Sequence, residues 1–292
     1  MLHFTEADVK RVLSMPQAIA CMRAVFHAYG RGEALNQPRR RLYLPTGAVL
    51  HQMAGSYGRY FGTKVYSTHT KRGAWFTFLL FDAETAKPLA QFEANHLGQI
   101  RTGATTGYAV DLLARPDVKR VAIIGSGFQA ETQLHAIREV RSPAHVTVWS
   151  RSESKRKEFA EKNGAQACES VEEALDGADI VVTATSSREP VFPSTAITGT
   201  PLICAIGSNY PDRREIPSEV VERARIVVDD LEQCRIEAGD LLLARTDWSS
   251  VEPLASLAVN GKAGPKDRLT LFKSVGLGIE DVAVAAYILE HA

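Results

Sequence analysis

What this chain lacks narrows its class before any motif is read. Neither sign of charge is in excess, with 34 Lys and Arg against 34 Asp and Glu and no long run of either. A balanced chain has no electrostatic footprint for nucleic acid or an anionic membrane surface, and neither partner is expected. No stretch of about 18 apolar residues occurs, so no segment reads as a membrane-spanning helix. The opening MLHFTEADVKRVL carries acidic residues and no apolar signal core, which makes a cytoplasmic location the expectation. Cysteine is scarce: Cys21, Cys168, Cys204 and Cys234 contain no CxxC pair and are predicted to be reduced and structural. The 8 histidines are dispersed from His3 to His291 without ligand spacing, so no metal site is expected.

Against these absences, 45% of the 292 residues are hydrophobic, enough for two domains or one large one. The most informative stretch is 119–137, KRVAIIGSGFQAETQLHAI. Residues 121–124 are a short apolar, β-branched run, as in a parallel strand covered on both faces. Gly125, Ser126 and Gly127 break it, and apolar residues return at helical spacing through Ala130, Leu134 and Ile137. In that context a GxGxx(G/A) pattern has physical content. Gly125 allows a tight turn, Gly127 lets backbone approach a pyrophosphate, and Ala130 is small enough for close helix–strand packing. The helix N-terminus then offers free N–H groups and a positive dipole end to the phosphates. An ordinary strand-to-helix turn is the plain alternative; a second strand at 145–149 favours the dinucleotide reading. The end of that strand, Trp149-Ser150-Arg151-Ser152, lacks the carboxylate that takes ribose hydroxyls in NAD sites. Arg151 instead suits a 2′-phosphate through its planar fork. NADP(H) is therefore the preferred cofactor, with NAD(H) possible. Lys155, Arg156 and Lys157 lie just beyond, on what otherwise reads as a solvated helix turn capped by Ser152.

In chain order, Thr5 with Glu6 and Asp8 caps a first helix, and a second spans 15–30, opened by Ser14 and Pro16. From Arg39 the pattern turns to β. Strands at 40–44, 49–53, 60–67 and 74–81 make an antiparallel hairpin series whose clearest turn is 82–88. A helix follows over 95–114, and Arg115-Pro116-Asp117 marks a crossing into the nucleotide domain. There, strands at 121–124, 145–149, 179–184, 202–206 and 225–229 alternate with helices at 129–140, 153–163 and 170–176. Residues 219–224 and 236–244 also read as helical, and 279–290 as an amphipathic helix that packs back on the N-terminal half. The order predicts an α/β protein with a doubly wound parallel Rossmann sheet over 116–274. An α+β antiparallel-sheet domain occupies 1–115, completed by the C-terminal helix within 275–292. A sheet in that position usually supplies substrate contacts or a subunit interface.

Several motifs then stand in one order: Gly62-Thr-Lys64-Val65, Leu79-Leu-Phe-Asp82 with Lys87-Pro-Leu-Ala90, Ile100-Arg101-Thr102, and Ile124-Gly-Ser-Gly127-Phe-Gln129-Ala130. They continue with Ala178-Asp-Ile-Val-Val-Thr-Ala-Thr185, Ala205-Ile-Gly207, Val227-Val-Asp229, Glu237-Ala-Gly-Asp240, and Leu271-Phe-Lys-Ser274-Val275-Gly276 with Glu280-Asp281. Together they resemble the ornithine cyclodeaminase/mu-crystallin family from the first helix to the C-terminus. The resemblance implies a homodimer joined through the N-terminal sheets, a Rossmann domain in each subunit, and chemistry at the α-carbon of a small amino or imino acid beside a nicotinamide ring. It places Arg41 and Lys64 as the basic pair at the substrate, with Lys64 able to deliver a proton if burial and Arg41 depress its pKa. A surface strand lysine is the alternative for Lys64. The same resemblance puts Arg101 and Thr102 near the cofactor phosphates, with a helix N-terminal turn making only structural hydrogen bonds as the alternative. Phe128, Gln129, Ser150, Arg151, Ser152, Thr183, Ala184, Thr185, Ile206 and Ser274 then join Gly125 and Gly127 at the cofactor. Glu237 and Val275 fall on the ligand side of the ring, although Glu237 reads equally well as a helix-face carboxylate.

One departure bears on activity. Where cyclodeaminases of the family carry an aspartate, this chain reads Gly207-Ser208-Asn209-Tyr210-Pro211-Asp212. Asn209, a candidate substrate contact, has no basic lone pair for taking a proton from an amine; Asp212 lies three residues on. The leading expectation is an NAD(P)H-dependent enzyme that reduces imines of 2-oxo acids, such as pyrroline- or piperideine-2-carboxylate, or interconverts a 2-oxo acid and an amino acid. An ornithine cyclodeaminase with bound NAD is one rival. A mu-crystallin-like ligand-binding protein, with Phe61, Tyr66, Trp75 and Phe76 lining an apolar pocket, is another.

Overall fold

The computed structural model describes residues 1–69, 71–261 and 266–292. The chain divides into two compact units, Met1–Thr105 with Gly276–Ala292, and Thr106–Val275.

The first unit opens with β1 (Leu2–Phe4), α1 (Glu6–Val12) and α2 (Met15–Gly30). Thr5 and Asp8 form a reciprocal capping box at α1, and Ser14 with Gln17 does the same at α2, satisfying N–H groups that a helix start leaves open. Then come β2 (Ala34–Tyr43), β3 (Ala48–Tyr57), β4 (Tyr60–His69), β5 (Gly73–Asp82), β6 (Pro88–Glu93) and the start of α3 (Asn95–Leu113). The six-stranded sheet has the order β1-β6-β5-β4-β3-β2. Its β2–β6 pairs are antiparallel, while β1 adds in parallel to β6. The predicted turn after β5 is built by Asp82, whose Oδ1 accepts from the Glu84 and Thr85 N–H groups at 3.2 and 2.9 Å. Register fixes the faces: Met53, Lys64, Phe78 and Phe92 lie opposite one another in sequence across β3–β6 and are all buried. Phe61, Thr63, Val65, Leu79 and Phe81 take the other face and stay half-buried. The closing helix, Gly278–His291, packs on β3 and β4.

The second unit takes the rest of α3, then β7 (Arg120–Ile124), α4 (Phe128–Val140), β8 (His145–Trp149), α5 (Glu153–Asn163), β9 (Gln166–Ala167), α6 (Val171–Leu175), β10 (Ile180–Thr183) and β11 (Leu202–Ala205). It continues with α7 (Ser218–Arg223), β12 (Arg225–Val228), α8 (Leu231–Glu237), α9 (Gly239–Leu243), β13 (Glu252–Pro253), α10 (Leu254–Asn260) and β14 (Thr270–Lys273); α11 (Gly278–His291) returns to the first unit. The order β13-β12-β14-β11-β10-β7-β8-β9 is parallel throughout. Strand order reverses between β7 and β10, the switch point at which doubly wound folds bind ligands.

Three details differ from the sequence expectation. The division between units falls inside α3 and not at Arg115-Pro116-Asp117, because Arg141 donates to the carbonyls of Val110, Asp111, Ala114 and Arg115 at 3.0–3.2 Å and ties the end of α3 to the second unit. The helix expected over 236–244 is two helices broken at Ala238. The break lies where backbone packs closely: a Cβ on Gly239 would meet the Tyr210 carbonyl oxygen at 2.5 Å. Finally, β14 inserts between β11 and β12, with Lys273 at its end fully buried.

Candidate functional site

At the carboxyl ends of β7, β8 and β10 lies a cleft of about 690 Å³. Gly125, Ser126, Gly127 and Phe128 line it from the β7–α4 turn, and Ser150, Arg151, Ser152 and Lys155 from the β8–α5 connection. Ala184 and Thr185 close it from the end of β10. Gly125 sits at φ 120°, backbone that favours glycine, and a Cβ there would meet the Ala184 carbonyl oxygen at 2.6 Å. A Cβ on Gly127 would meet nothing within 4 Å, so this backbone stands open. Gly127 caps α4 without any side-chain hydrogen bond, leaving the first N–H groups of α4 available to an anion. The arrangement fits a dinucleotide, whose pyrophosphate needs close backbone approach and unsatisfied donors.

The basic run after β8 divides in two. Arg151 and Lys155 are exposed and line the cleft. Arg156 is buried and turned back, donating to the Ser150 carbonyl at 3.2 Å and to Glu169 at 3.0 Å. Lys157 pairs with Glu153 at 2.6 Å on the outside of α5. Only the first two are placed to meet a phosphate in this cleft.

Of the other predicted cofactor residues in this unit, Gln129 lies in the first turn of α4, Thr183 and Ser274 are buried at strand ends, and Ile206 is half-buried after β11. Two buried carboxylates, Asp229 of a sequence motif with no role assigned and Glu215, account for the hydroxyls. Glu215 accepts from Thr183 Oγ1 (2.9 Å), Thr185 N–H (2.7 Å), Thr185 Oγ1 (2.7 Å) and Gly207 N–H (2.8 Å). Asp229 accepts from Ser274 Oγ (2.9 Å) and Val275 N–H (2.7 Å). Asp240 in turn holds the Glu215 and Ile216 N–H groups at 2.6 and 3.0 Å and pairs with Lys273 at 2.8 Å. Burial, then the Asp240 charge, raises the Glu215 pKa against the pull of Lys273. Burial opposes the Lys273 charge, but Asp240 and Glu215 outweigh it and keep that pKa above its ordinary value. The strand-end loops bordering the cleft are therefore braced from beneath by satisfied charges. Glu237 is buried and accepts from Gln233 at 2.7 Å, Asn209 is half-buried, and Asp212 is exposed.

In the first unit, register sets Arg41 opposite His51, His51 opposite Tyr66, and Tyr66 opposite Phe76. The neighbouring row on that face holds Met53, Lys64 and Phe78, so Arg41 and Lys64 share one side of the sheet. Lys64 is 2% exposed. Its Nζ lies 3.0 Å from Asp281 Oδ1 and 5.5 Å from the centre of the Phe76 ring. Arg101 donates to Glu280 at 2.7 Å and reaches Asp281 Oδ1 at 3.3 Å. Burial is the main cause that lowers the Lys64 pKa to about 8; Asp281 opposes it, and Arg101 and Arg39 add to it. Arg41 is thus not the cation that depresses Lys64. Arg39 is buried and nearer to this network, donating to the Gly276 carbonyl at 3.2 Å. Its position two residues before Arg41 on a strand was a signal that would have found it. Burial works against the Arg101 charge, yet Asp281 and Glu280 raise its pKa overall, and Thr102 directs its hydroxyl to the Gly98 carbonyl at 2.8 Å.

His51 stacks on Tyr66 at 4.2 Å and meets Thr68 Oγ1 at 2.9 Å. Burial, then Arg41 and Arg39, lower its pKa to about 4, so it is neutral near pH 7. The four aromatics considered for an apolar pocket do not gather. Tyr66 and Phe76 stack on this face at 5.1 Å, whereas Phe61 and Trp75 take the opposite one by the alternation of β4 and β5. The buried face instead carries Arg39, Arg41 and Lys64, the last with its pKa lowered to about 8, which suits a carboxylate and a transferable proton.

Residues 2–292 match the model of the ornithine cyclodeaminase/mu-crystallin family. The Δ1-pyrroline-2-carboxylate reductase of Bacillus cereus is 37% identical over 228 residues, spanning 73% of this chain and 70% of that protein. The structure of Thermococcus litoralis Δ1-pyrroline-2-carboxylate reductase in complex with NADH and L-proline aligns with a TM-score of 0.94 at 31% identity, over 100% of this chain and 97% of that one. An archaeal alanine dehydrogenase dimer with bound NAD gives the same TM-score, 0.94, at 31% identity over 100% and 96% of the two chains. The protein belongs to the ornithine cyclodeaminase/mu-crystallin family.

Proposed function

We propose that the protein is an NAD(P)H-dependent oxidoreductase acting on the carbon–nitrogen bond at the α-carbon of a 2-imino or amino acid. Cyclic ketimines such as Δ1-pyrroline-2-carboxylate and Δ1-piperideine-2-carboxylate are the leading substrates, with interconversion of a 2-oxo acid and an amino acid as the related activity. The observation that carries this reading is Lys64, buried on a cation-rich face with its pKa lowered to about 8, in a chain that also builds a dinucleotide cleft. Relatives that reduce pyrroline-2-carboxylate support it.

When bound, the nicotinamide supplies a hydride to the imine carbon or accepts one in the oxidative direction. The chain's own residues do the rest. Arg41 holds the substrate carboxylate through its two-pronged fork, with Lys64 as the point charge beside it. The Lys64 ammonium keeps the imine nitrogen protonated, which makes the neighbouring carbon electrophilic. Because the ammonium form is the active one and the pKa is about 8, reduction falls as pH rises through that value. Arg151 and Lys155, both lining the cleft, favour the 2′-phosphate of NADP(H), with NAD(H) accepted more weakly. Deamination with cyclisation is not favoured: Asn209 offers no base, and Asp212 is exposed. The half-buried apolar face of the sheet, with Phe61 stacked on Phe81 at 5.2 Å, supports a homodimer joined there.

The test is substitution. Lys64→Ala and Arg41→Ala should each lower kcat/KM for imine reduction by about 10²-fold or more, Arg41→Ala chiefly through KM. Full turnover in both variants would overturn the mechanism.

A further inference from the structure

Glu280 and Asp281 stand side by side in the first turn of α11, both 0% exposed, on a helix that is otherwise almost wholly apolar. Each is matched to a buried cation. Asp281 Oδ1 is shared by Lys64 Nζ at 3.0 Å and Arg101 Nε at 3.3 Å, while Glu280 takes Arg101 Nη1 at 2.7 Å. Two glycines leave room for these cationic heads. A Cβ on Gly98 of α3 would collide with Lys64 Nζ, and one on Gly276 would meet Arg101 Nη1 at 2.5 Å. Facing Lys64 are therefore Asp281, with Glu280 beside it, from α11, Arg101 from α3 and Arg39 from β2, with Arg41 and His51 in the adjoining row of the sheet.

We propose that Asp281 is a positioning residue for the proton-holding lysine: its Oδ1 bridges Lys64 and Arg101, fixes the ammonium in the Gly98 niche, and keeps the proton on Lys64 while imine is reduced. The assignment rests on the role given to Lys64 above. The physical argument is one of opposing effects. Burial and two nearby cations all drive the proton off Lys64, and the Asp281 charge is the contact that holds it there. Glu280 anchors Arg101 independently, so neutralising Asp281 leaves the guanidinium held while the lysine loses its counter-charge. Nothing in this arrangement requires Asp281 to touch substrate.

The experiment is the pH–rate profile of imine reduction in the parent, Asp281→Asn and Lys64→Ala enzymes. In the parent, activity falls with rising pH through about 8. Asp281→Asn should move that midpoint down by about one pH unit or more, with kcat on the acid side within a few-fold of the parent. A midpoint left in place, with activity lost equally at every pH, would show Asp281 to be merely structural and overturn the proposal. A limb that persists in Lys64→Ala would instead remove the reading of Lys64 itself, so the two failures are told apart. Should Asp281→Asn not fold, Gly98→Ala displaces the ammonium sterically. A 3.0 Å pair has little room to shorten, so this variant should lengthen it and lower the midpoint too; an unmoved midpoint there equally overturns the proposal.

Discussion

Taking a lysine out of water disfavours its charge, and at Lys64 that effect outweighs an adjacent carboxylate, bringing the pKa to about 8. The same balance falls the other way at Arg101 and Lys273, where two carboxylates each outweigh burial. The two lysines therefore shift in opposite directions, although both are nearly free of solvent. On the cofactor side the proposed contact for a 2′-phosphate is Arg151, which lines the cleft. Arg151→Ala should raise KM for NADPH about tenfold or more, equivalent to about 1.4 kcal/mol, and leave KM for NADH nearly unchanged. Steady-state kinetics with both cofactors checks this, and equal changes would remove Arg151 as the 2′-phosphate contact. Lys64 stands in a sequence motif and Arg41 is named only through the family resemblance; register sets both on one face of the sheet. Asp281 and Asp229 also stand in motifs but carry no role there, and Glu215 stands in none. Acidic residues at a helix start or after a strand are ordinary caps, and nothing local distinguishes a solvated cap from a carboxylate that collects several donors in the interior.

At the scale of elements, alternation along β4 and β5 separates a buried face carrying Lys64 from an apolar face that is only half covered. In the proposed homodimer, Phe61, Val65, Leu79 and Phe81 on the second face are the residues a partner subunit would cover. Phe61→Glu should then convert that dimer to a monomer in sedimentation equilibrium, through burial of an unpaired charge in the contact. A dimer unchanged by this substitution would move the interface elsewhere. The long strands were legible from their period of two, and the Rossmann alternation from short apolar runs. The short pairings β1, β9 and β13 were not, since two or three residues carry no period. β14 was hidden differently: TLFK ends in a lysine, which reads as a surface residue until Asp240 is seen paired to it.

For the molecule as a whole, one unit concentrates cations on a sheet face and the other builds a nucleotide cleft, and among the described residues no helix is long and apolar enough to cross a membrane. The unit boundary within α3 was not legible, because a continuous helix gives no break in pattern and only the Arg141 bonds assign its end. The proposed activity of this chain is reduction of a carbon–nitrogen double bond at the expense of a nicotinamide cofactor. The measurement that tests it most directly is oxidation of NADPH, with NADH in parallel, by the purified protein supplied with Δ1-pyrroline-2-carboxylate and Δ1-piperideine-2-carboxylate, and with pyruvate plus ammonia. The account predicts imine-dependent oxidation, faster with NADPH and declining as pH rises through about 8. No cofactor oxidation with any of these substrates, alongside ammonia release from ornithine without net change in cofactor, would contradict it.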